Sequence, residues 1–373
     1  MSEDKETIKR LEEIVKQLYD ELTKLQIPSI SVSLRTKGNI VFDKNNGIWT
    51  YGKMKSTRSA KTLDGAKMLL RTLYAIELIN KMIEERKSST LREMYYISEG
   101  WGLGKFNAQD ESDRLVEDLE IITKSLREDF KLRPEENGAS VIGNITIEET
   151  NRAGQRKRIN CRDDVGDSGY TIPYNVEKSK IRFLDWDADF IIGIESGGMF
   201  DRLVENGFDE EGRAILIHLK GQPARCTRRL MKRMNEECKL PVLLFTDCDP
   251  WSFRIFASVA YGAIKTAYIS SYLACPSAQF LGVIPSDIEN YDLPSDKLTD
   301  EDVKALNAEL SDPRFKGQVL ARKADGNDIF WEDEIKMQLQ LNKKSEQQSL
   351  AKYGLDYVTD RYLPDKLAEL GIG

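Results

Sequence analysis

Short runs of consecutive apolar residues dominate the second half of the chain. Phe190–Ile194, Ala214–Leu219 and Val242–Phe245 are such runs, and each is typical of a strand buried on both faces of a parallel sheet. Helical spacing is found at Met199–Asn206, Arg225–Glu237 and Trp251 to about Ala263. Two further short strands are predicted at Thr266–Ile269 and Phe280–Ile284. This order predicts an α/β domain with a mainly parallel sheet.

The first half of the chain has mainly helical periodicity. A helix is predicted from Glu6 to about Leu25, followed by two strands, Ile30–Leu34 and Asn39–Phe42, with Lys37-Gly38 as their turn. Three more helices are predicted: from Asp64, from Leu91 behind a Thr90-x-x-Glu93 capping box, and from Asp110. Residues 139–147 then alternate like a strand or hairpin. Three helices and a small β-wing follow the order of a winged helix-turn-helix domain.

These patterns together predict an α/β multidomain protein in which a winged-helix domain precedes the domain with the mainly parallel sheet. The region between them is rich in charged and turn residues and poor in apolar periodicity. The expected boundaries are 1–66 for an N-terminal arm, 67–150 for the winged-helix domain, 151–180 for a connector and 181–373 for the α/β domain with a helical C-terminal extension.

Length and composition fit a soluble protein of two or three domains. The 373 residues are 40% hydrophobic and 31% charged. The longest apolar runs are strand-sized, well short of the roughly 20 residues that span a bilayer, and the amino terminus is charged and helical in character. We therefore expect no membrane association, and a cytoplasmic location at the nucleoid.

The cysteines and the histidine argue against several kinds of chemistry. Five cysteines are scattered without a CxxC pair, which favours reduced thiols over a zinc site. His218 is the only histidine and lies in an apolar run, so we expect a core or supporting role for it. Ser-His-Asp catalysis and a histidine-rich metal site are disfavoured.

The net charge of −7 argues against a protein that coats nucleic acid through bulk charge. Three local basic clusters nevertheless exist. They are Lys53, Lys55, Arg58 and Lys61; Arg152, Arg156, Lys157 and Arg158; and Arg225, Arg228, Arg229, Lys232 and Arg233. Each is interpretable as a solvated surface. For the third cluster, on a predicted helix, phosphate binding is an equally good interpretation.

Acidic residues follow two of the predicted strands. Asp247 and Asp249 come directly after the strand at 242–245, and residues two apart on an extended chain point the same way. The strand at 190–194 ends in Glu195. Open α/β sheets bind ligands at the carboxyl edge of their strands, so the three acids predict a divalent-metal site there. Hard carboxylate oxygens suit Mg²⁺.

The order of Glu195 and Asp247-x-Asp249 matches the pattern of the Toprim domain, which topoisomerases, bacterial primases and related nucleases share. A DxD pair also suits phosphatases that use the first aspartate as nucleophile. Those phosphatases usually continue as DxDx[TV], whereas Pro250-Trp251 follows here. The upstream Gly-x-Glu-Ser-Gly-Gly favours Toprim.

A second candidate is the stretch Leu91-Arg-Glu-Met-Tyr-Tyr96. On a helix, Arg92 and Tyr96 are i,i+4 neighbours on one face. A phenol with a pKa of about 10 is a poor nucleophile unless a cation or base assists it. A guanidinium one turn away can stabilise the phenolate or bind a phosphate. Two half-buried tyrosines in a helical core are the alternative interpretation.

No nucleotide-binding loop is visible in the chain. Gly100-Trp-Gly-Leu-Gly104-Lys105 is glycine-rich before a lysine, but the Walker spacing fails and Phe106 follows instead of Ser or Thr. If the protein acts with ATP, another chain must bind it.

Taken together, these motifs resemble one family. The order of L-R-E-M-Y-Y, I-G-I-E-S-G-G, H-L-K-G-Q-P and L-F-T-D-C-D-P is similar to that of the A subunits of DNA topoisomerase VI, the archaeal type IIB enzyme. That family is related to the meiotic protein that makes recombination breaks. The resemblance covers essentially the whole chain and includes Val283–Tyr291. The family's Arg-Asp-x-Tyr-Tyr element has Glu93 in place of its aspartate here, which leaves Arg92 and Tyr96 in position.

The resemblance implies a mechanism and partners. The second tyrosine of the pair is the family's nucleophile, so Tyr96, and not Tyr95, forms a 5′-phosphotyrosyl link to double-stranded DNA, with Arg92 assisting. By the same resemblance, Mg²⁺ is expected to bind Glu195, Asp247 and Asp249, and the protein is expected to be a homodimer within an A2B2 heterotetramer whose GHKL-type B subunit binds ATP. Such an enzyme passes one duplex through another, relaxing supercoils and decatenating DNA.

Two other functions stay open on the residues alone. One is a Toprim nuclease or primase-like enzyme that uses metal and water without a covalent intermediate. The other is a nonenzymatic winged-helix DNA-binding protein whose acids bind a structural metal. Covalent protein–DNA adducts would distinguish the first from the topoisomerase reaction. Metal-dependent cleavage would exclude the second.

Overall fold

The computed structural model describes residues 3–134, 139–151 and 153–372. The chain forms two compact units. The first comprises Met1–Val41, Thr50–Glu136 and Ala267–Ile269, and the second comprises Phe42–Trp49, Asn137–Thr266 and Ser270–Gly373. Each unit has its own hydrophobic core. None of the described helices combines the length and the apolar character needed to cross a membrane.

Helices dominate the part of the chain before residue 135. They are α1 (Glu3–Thr23), α2 (Leu63–Glu84), α3 (Leu91–Ile97) and α4 (Gln109–Thr123). The strands are β1 (Ser29–Ser33), β2 (Ile40–Asp43), β3 (Ile48–Tyr51), β4 (Lys55–Ser59), β5 (Ser89–Thr90) and β6 (Leu132–Arg133). The four predicted helices are confirmed to within a few residues at their ends.

Local sequence signals explain how α2 and α3 form. Apolar residues of α2 at three- and four-residue spacing, among them Leu69, Ile76 and Ile79, are buried in the core of the first unit. At α3, the Thr90 hydroxyl accepts a hydrogen bond from the Glu93 amide at 3.0 Å. The Glu93 carboxylate in turn accepts one from the Thr90 amide at 2.7 Å. This capping box is the one that the sequence predicts.

The predicted hairpin between 30–34 and 39–42 is wrong. β1 pairs antiparallel with β4, and β2 pairs with β3. The reversal takes place after Asp43, whose side chain accepts hydrogen bonds from the amides of Asn45 and Asn46. Such an Asx-type turn is stronger than the Lys37-Gly38 signal, which forms a short 3₁₀ turn instead.

The second unit contains more elements than the first. Its helices are α5 (Gly197–Glu205), α6 (Phe208–Glu211), α7 (Arg225–Cys238), α8 (Pro250–Tyr261), α9 (Ser270–Leu273), α10 (Pro285–Asn290), α11 (Asp300–Glu309), α12 (Trp331–Leu341) and α13 (Leu363–Leu370). Its strands are β7 (Ser140–Ile142), β8 (Ile145–Thr150), β9 (Arg156–Asn160), β10 (Tyr170–Thr171), β11 (Ile181–Trp186), β12 (Phe190–Ile194), β13 (Ala214–His218), β14 (Val242–Phe245), β15 (Gln279–Gly282), β16 (Asp296–Lys297), β17 (Val319–Ala321), β18 (Ile329–Phe330) and β19 (Lys343–Lys344).

A mixed six-stranded sheet forms the centre of this unit, in the order β10-β7-β13-β12-β14-β15. The four strands from β13 to β15 are parallel, and β7 and β10 add antiparallel pairs at one edge. Every residue of β12 and β14 is buried, as continuous apolar runs predict. The mainly parallel sheet is therefore confirmed. The strand predicted at 266–269 is wrong, because Ile264–Ile269 is a short 3₁₀ helix.

The strands that the sequence predicts as a wing form their hydrogen-bonded pairs within the second unit. β7 joins the central sheet, and β8 is the middle strand of a three-stranded sheet with the order β11-β8-β9. β9 and β10 lie within the range predicted as a connector, so that range contributes strands to both sheets. Residues 139–147 are thus not a wing on the three-helix unit. The prediction is wrong because an alternating pattern indicates strands but does not specify which strands will pair.

Candidate metal centre and candidate nucleophile

The ends of β12 and β14 bring two of the predicted acids together. These strands are parallel neighbours, with Ile194 opposite Phe245. Glu195 follows β12, and its carboxylate accepts a hydrogen bond from the Asp247 amide at 3.3 Å. The Glu195 amide donates to the carbonyl of Phe245 at 3.1 Å. The carboxyl edge of the sheet therefore holds Glu195 and Asp247 side by side, as predicted.

Burial and mutual repulsion act on both carboxyls. Desolvation raises the pKa of Glu195, and the negative charge of Asp249 acts in the same direction. Desolvation likewise raises the pKa of Asp247 to about 7, and Glu195, Asp249 and Glu346 add to the rise. The Gln347 amide opposes that rise by donating a hydrogen bond to the carboxylate of Asp247. A site that disfavours negative charge in this way is stabilised by a bound cation.

Asp249 has a different local role. It caps α8, because its Oδ1 accepts a hydrogen bond from the Ser252 amide at 2.7 Å, with Pro250 in the first helical turn. Within residues 3–134, 139–151 and 153–372, no three His, Cys, Asp or Glu side chains converge closely enough to hold a metal ion. The structure thus does not bring the predicted third ligand, Asp249, into a cluster with Glu195 and Asp247, although its negative charge acts on both.

The donor set fits magnesium. Mg²⁺ uses hard oxygen ligands, usually keeps several waters and takes one or two carboxylates from the protein. Glu195 and Asp247 supply such oxygens at adjacent strand ends. All five cysteines are buried and none is in a disulfide, which agrees with the reduced thiols expected from the sequence. His218 is half-buried and stacks on Phe200 with 5.5 Å between ring centroids, consistent with a supporting role.

The candidate nucleophile lies on α3 in the first unit. Tyr96 is 58% exposed, whereas its neighbour Tyr95 is half-buried against the core. Met94 on the same helix is fully buried and anchors it. Arg92 is exposed. In the described part of the chain, neither Tyr96 nor Arg92 has a hydrogen-bond or ion-pair partner. Burial of both tyrosines in a helical core, the alternative interpretation, does not apply to Tyr96.

Most side chains of the third basic cluster, on α7, make hydrogen bonds within the protein. Arg229 makes two hydrogen bonds to the Glu177 carboxylate at 2.7 and 2.9 Å. Arg233 is buried and binds the Glu237 carboxylate and the carbonyl oxygens of Val176 and Ile181. Arg228 binds Ser258, and Lys232 donates to the carbonyl of Ala274 at 2.7 Å. These side chains tie α7 to its neighbours, which favours a structural role over phosphate binding for them.

Most described residues of the other two basic clusters are exposed to solvent. Lys53, Lys55 and Lys61 are exposed, while Arg58 pairs with Asp118. Arg156, Lys157 and Arg158 are exposed on β9, which lies at the edge of its sheet. Arg152 lies outside the described residues.

The sequence interpretation missed a polar segment that contacts the acids. The Gln347 amide donates to Asp247 Oδ1 at 2.9 Å, and the Gln348 side chain donates to Ser196 Oγ at 2.7 Å. Gln347 follows Asp247 by 100 residues. No local pattern around Gln347 predicts this contact, since its main-chain N–H is common to every residue except proline.

Three family models match consecutive parts of the chain. Residues 67–132 match the model of the type IIB DNA topoisomerases, and residues 135–187 match that of the all-beta domain in the DNA topoisomerase VI alpha subunit. Residues 190–367 match the model of the Toprim domain in Spo11 and the A subunit of topoisomerase 6. The all-beta match coincides with the region in which β7 to β11 form. The Toprim match contains both strand ends that carry the acids.

Curated relatives match over almost their whole length. The chain is 58% identical to the A subunit of type 2 DNA topoisomerase 6 from Archaeoglobus fulgidus, over 96% of each chain. It is 51% identical to the protein of that name from Haloarcula marismortui over 100% of each chain. It is 53% identical to the one from Methanosarcina mazei, over 97% of this chain and 95% of the relative.

A mixed sheet with acids at the ends of adjacent parallel strands, together with the match over 190–367, defines an α/β protein of the Toprim class. The full-length similarities specify the family within that class. The chain belongs to the family of A subunits of type 2 DNA topoisomerase 6, the type IIB topoisomerases.

Proposed function

We propose that this chain is the DNA-cleaving subunit of an ATP-dependent type IIB topoisomerase. The observation that carries the proposal is the adjacent placement of Glu195 and Asp247 at the carboxyl ends of β12 and β14. The names of the relatives support the same reaction class.

Tyr96 is the proposed nucleophile. Its oxygen attacks a DNA phosphodiester, the phosphorus–O3′ bond breaks, and a 5′-phosphotyrosyl link and a free 3′-hydroxyl result. The proton of the phenol leaves to solvent, and the 3′-oxygen takes one up. Because the covalent link preserves the energy of the phosphodiester, attack by the 3′-hydroxyl reseals the strand. The exposure of Tyr96 and the position of Arg92 one helical turn away support these roles.

Glu195 and Asp247 are the proposed Mg²⁺ ligands, with Asp249 adding charge beside them. Mg²⁺ held by these carboxylates would neutralise charge on the phosphate and on the leaving oxygen. The carboxylates hold negative charge at the strand ends, where burial makes an uncompensated charge unfavourable.

DNA is proposed to bind through its phosphates. Helices α2 to α4 supply the helix-turn-helix part of a winged-helix domain, and any wing must be formed by residues other than 139–147, which pair in the second unit. The exposed lysines at 53, 55 and 61 and the exposed basic residues of β9 are the candidate phosphate contacts.

The proposed assembly is a homodimer within an A2B2 heterotetramer. Cutting both strands of a duplex requires two tyrosines, and ATP is bound by a GHKL-type B subunit. The arm helix α1 is a candidate docking element. Its residues Leu11, Ile14 and Leu18 are buried in the protein's own core. Leu22, one turn beyond Leu18 on the same face, and the neighbouring Tyr19 are exposed, so docking would use the C-terminal end of the helix.

Covalent adduct trapping tests the proposal. Radiolabelled duplex DNA is incubated with this chain, the B-type ATPase, a nonhydrolysable ATP analogue and MgCl₂, and the reaction is stopped with SDS. We expect labelled protein that requires Mg²⁺ and is linked to the 5′ end. Metal-dependent cleavage with free 5′-phosphate ends would identify a nuclease instead. Supercoil relaxation by this chain without its partner would contradict the proposed assembly.

A further inference from the structure

A short C-terminal stretch, which we call the 345–348 segment, lies against the loop that carries the aspartates. The Cys248 amide donates to the carbonyl of Ser345 at 2.8 Å, and the Ser345 amide donates back to the carbonyl of Cys248 at 3.3 Å. Cys248 is the residue between Asp247 and Asp249, and it is fully buried. The segment therefore pairs with the middle of the DxD loop as a single antiparallel bridge.

The same segment reaches both acid-bearing strand ends. The Gln347 amide donates to Asp247 Oδ1 at 2.9 Å. The Gln348 side chain donates to Ser196 Oγ at 2.7 Å. Ser196 directly follows Glu195 and caps α5, since its Oγ also accepts a hydrogen bond from the Met199 amide. Two consecutive glutamines thus connect the turn after β12 to the loop after β14.

A third glutamine holds the loop from another element. Gln338, on α12, is fully buried, and its Nε2 donates to the carbonyl of Cys248 at 2.9 Å. The peptide groups on both sides of Cys248 are therefore hydrogen-bonded to α12 and to the segment. The segment is anchored in turn, because Ser345 Oγ donates to the carbonyl of Pro294 at 2.7 Å and Lys344 pairs with Asp302 at 2.8 Å.

These contacts matter because magnesium is demanding about geometry. Mg²⁺ requires near-ideal octahedral coordination, so a ligand that can rotate or shift binds it weakly. A carboxylate with one oxygen engaged by a fixed amide is restrained, and its other oxygen keeps a defined position. Hydrogen bonds to ligating groups typically contribute about 10–100-fold to metal affinity.

We propose that the Gln347 amide and the Gln338 side chain are positioning groups of the metal centre. They fix the place of Asp247 relative to Glu195 through the DxD loop. This inference rests on the proposed function, because it takes Glu195 and Asp247 as the Mg²⁺ ligands.

A matched pair of substitutions at one position separates the amide from the side chain. Gln347→Pro removes the N–H that Asp247 accepts. Proline is tolerated here because residue 347 begins a short 3₁₀ helix and Glu346 has the extended backbone (φ −86°, ψ 156°) that precedes proline readily. Gln347→Leu keeps the N–H. The buried amide oxygen and nitrogen of Gln347 have no hydrogen-bond partner in the described part of the chain, so leucine should not destabilise the fold.

The measurement is the rise in melting temperature of the full chain with increasing MgCl₂, from which an apparent Kd follows. We expect Gln347→Pro to weaken Mg²⁺ binding about 10–100-fold and Gln347→Leu to bind like the wild type. Gln338→Met should also weaken Mg²⁺ binding, by less than Gln347→Pro, because Gln338 binds the carbonyl of the neighbouring Cys248 and not a ligating group. Leu306→Ala, which opens a cavity in the core at α11, controls for general destabilisation and should retain the wild-type Kd.

Asp247→Ala distinguishes the proposed positioning role of the two glutamines from the proposed metal site itself. Wild-type Kd values in Gln347→Pro and Gln338→Met, with loss of Mg²⁺ binding in Asp247→Ala, would overturn the positioning role alone. An unchanged Mg²⁺ effect in Asp247→Ala would overturn the metal site itself. If Gln347→Pro does not fold, the Kd of Gln338→Met against that of Leu306→Ala decides the question.

Discussion

The two candidate sites differ in how far the fold prepares them. Tyr96 stands on a seven-residue helix, largely exposed, and within the described residues nothing hydrogen-bonds to its hydroxyl. Glu195 and Asp247 are half-buried and held by main-chain amides. The fold therefore leaves the proposed nucleophile exposed, whereas it already restrains the two acids through hydrogen bonds. Changes at Tyr96 should affect chemistry without affecting folding, whereas changes at the acids should affect both.

Tyr96→Phe should have the largest effect on activity and the smallest on stability. The substitution removes one exposed hydroxyl, so covalent adducts should fall below detection in the trapping assay. The melting temperature should stay within about 1 °C of the wild type, since surface changes usually alter stability by less than about 0.5 kcal/mol. Tyr95→Phe is the matched control and should cleave normally. Adducts at wild-type level in Tyr96→Phe would mean that another residue is the nucleophile.

Asp247→Asn should abolish cleavage and also change stability. In EDTA, the raised pKa of Asp247 means that the wild-type fold loses stability as pH rises from about 4, where the unfolded chain ionises, to about 7, where the folded carboxyl ionises. Asparagine cannot ionise but can still accept the Gln347 amide. The variant should therefore match the wild type at low pH and exceed its melting temperature by about pH 8. If the melting temperatures of the two proteins changed with pH in the same way, this electrostatic explanation would be wrong.

Arg229→Ala should affect stability and leave DNA binding intact. Loss of a partly buried, doubly hydrogen-bonded pair with Glu177 should lower the free energy of unfolding by about 1–3 kcal/mol. Lys157→Ala on the exposed β9 should do the reverse, weakening DNA binding and reducing its salt dependence at unchanged stability. Urea denaturation measures the stability of the two variants, and fluorescence anisotropy measures their DNA binding. Weaker DNA binding in Arg229→Ala would restore the phosphate-binding role of α7.

Thr90→Ala should have small effects on both stability and cleavage. It removes the side-chain cap of α3 and should cost about 1 kcal/mol of stability. Because Tyr96 lies on that helix, adduct formation should fall several-fold without disappearing. Urea denaturation and the trapping assay measure the two effects. Full cleavage at reduced stability would show that DNA itself orders α3 during the reaction.

Local patterns in the sequence were sufficient to predict much of this architecture. Apolar runs predicted β12 and β14, and two of the three acids that follow them, Glu195 and Asp247, meet because parallel neighbours end at one sheet edge. The capping box of α3 is also local. Apart from the strand predicted at 266–269, which is a 3₁₀ helix, the main errors concern partners that are distant in the sequence. Pairing of β1 with β4, pairing of β7 with β13, and the ion pair of Arg229 with Glu177 all depend on residues far along the chain.

The bridge between the DxD loop and the 345–348 segment also affects how the protein is made. Gln347 is synthesised 100 residues after Asp247. At roughly 5–20 residues per second, about 5–20 seconds of translation separate the two. During that time the aspartate loop lacks the amide that restrains it and the bridge that pairs with Cys248. A nascent chain therefore cannot complete its acid site until residues 345–348 have emerged, so the site forms well after both of its acids have been synthesised.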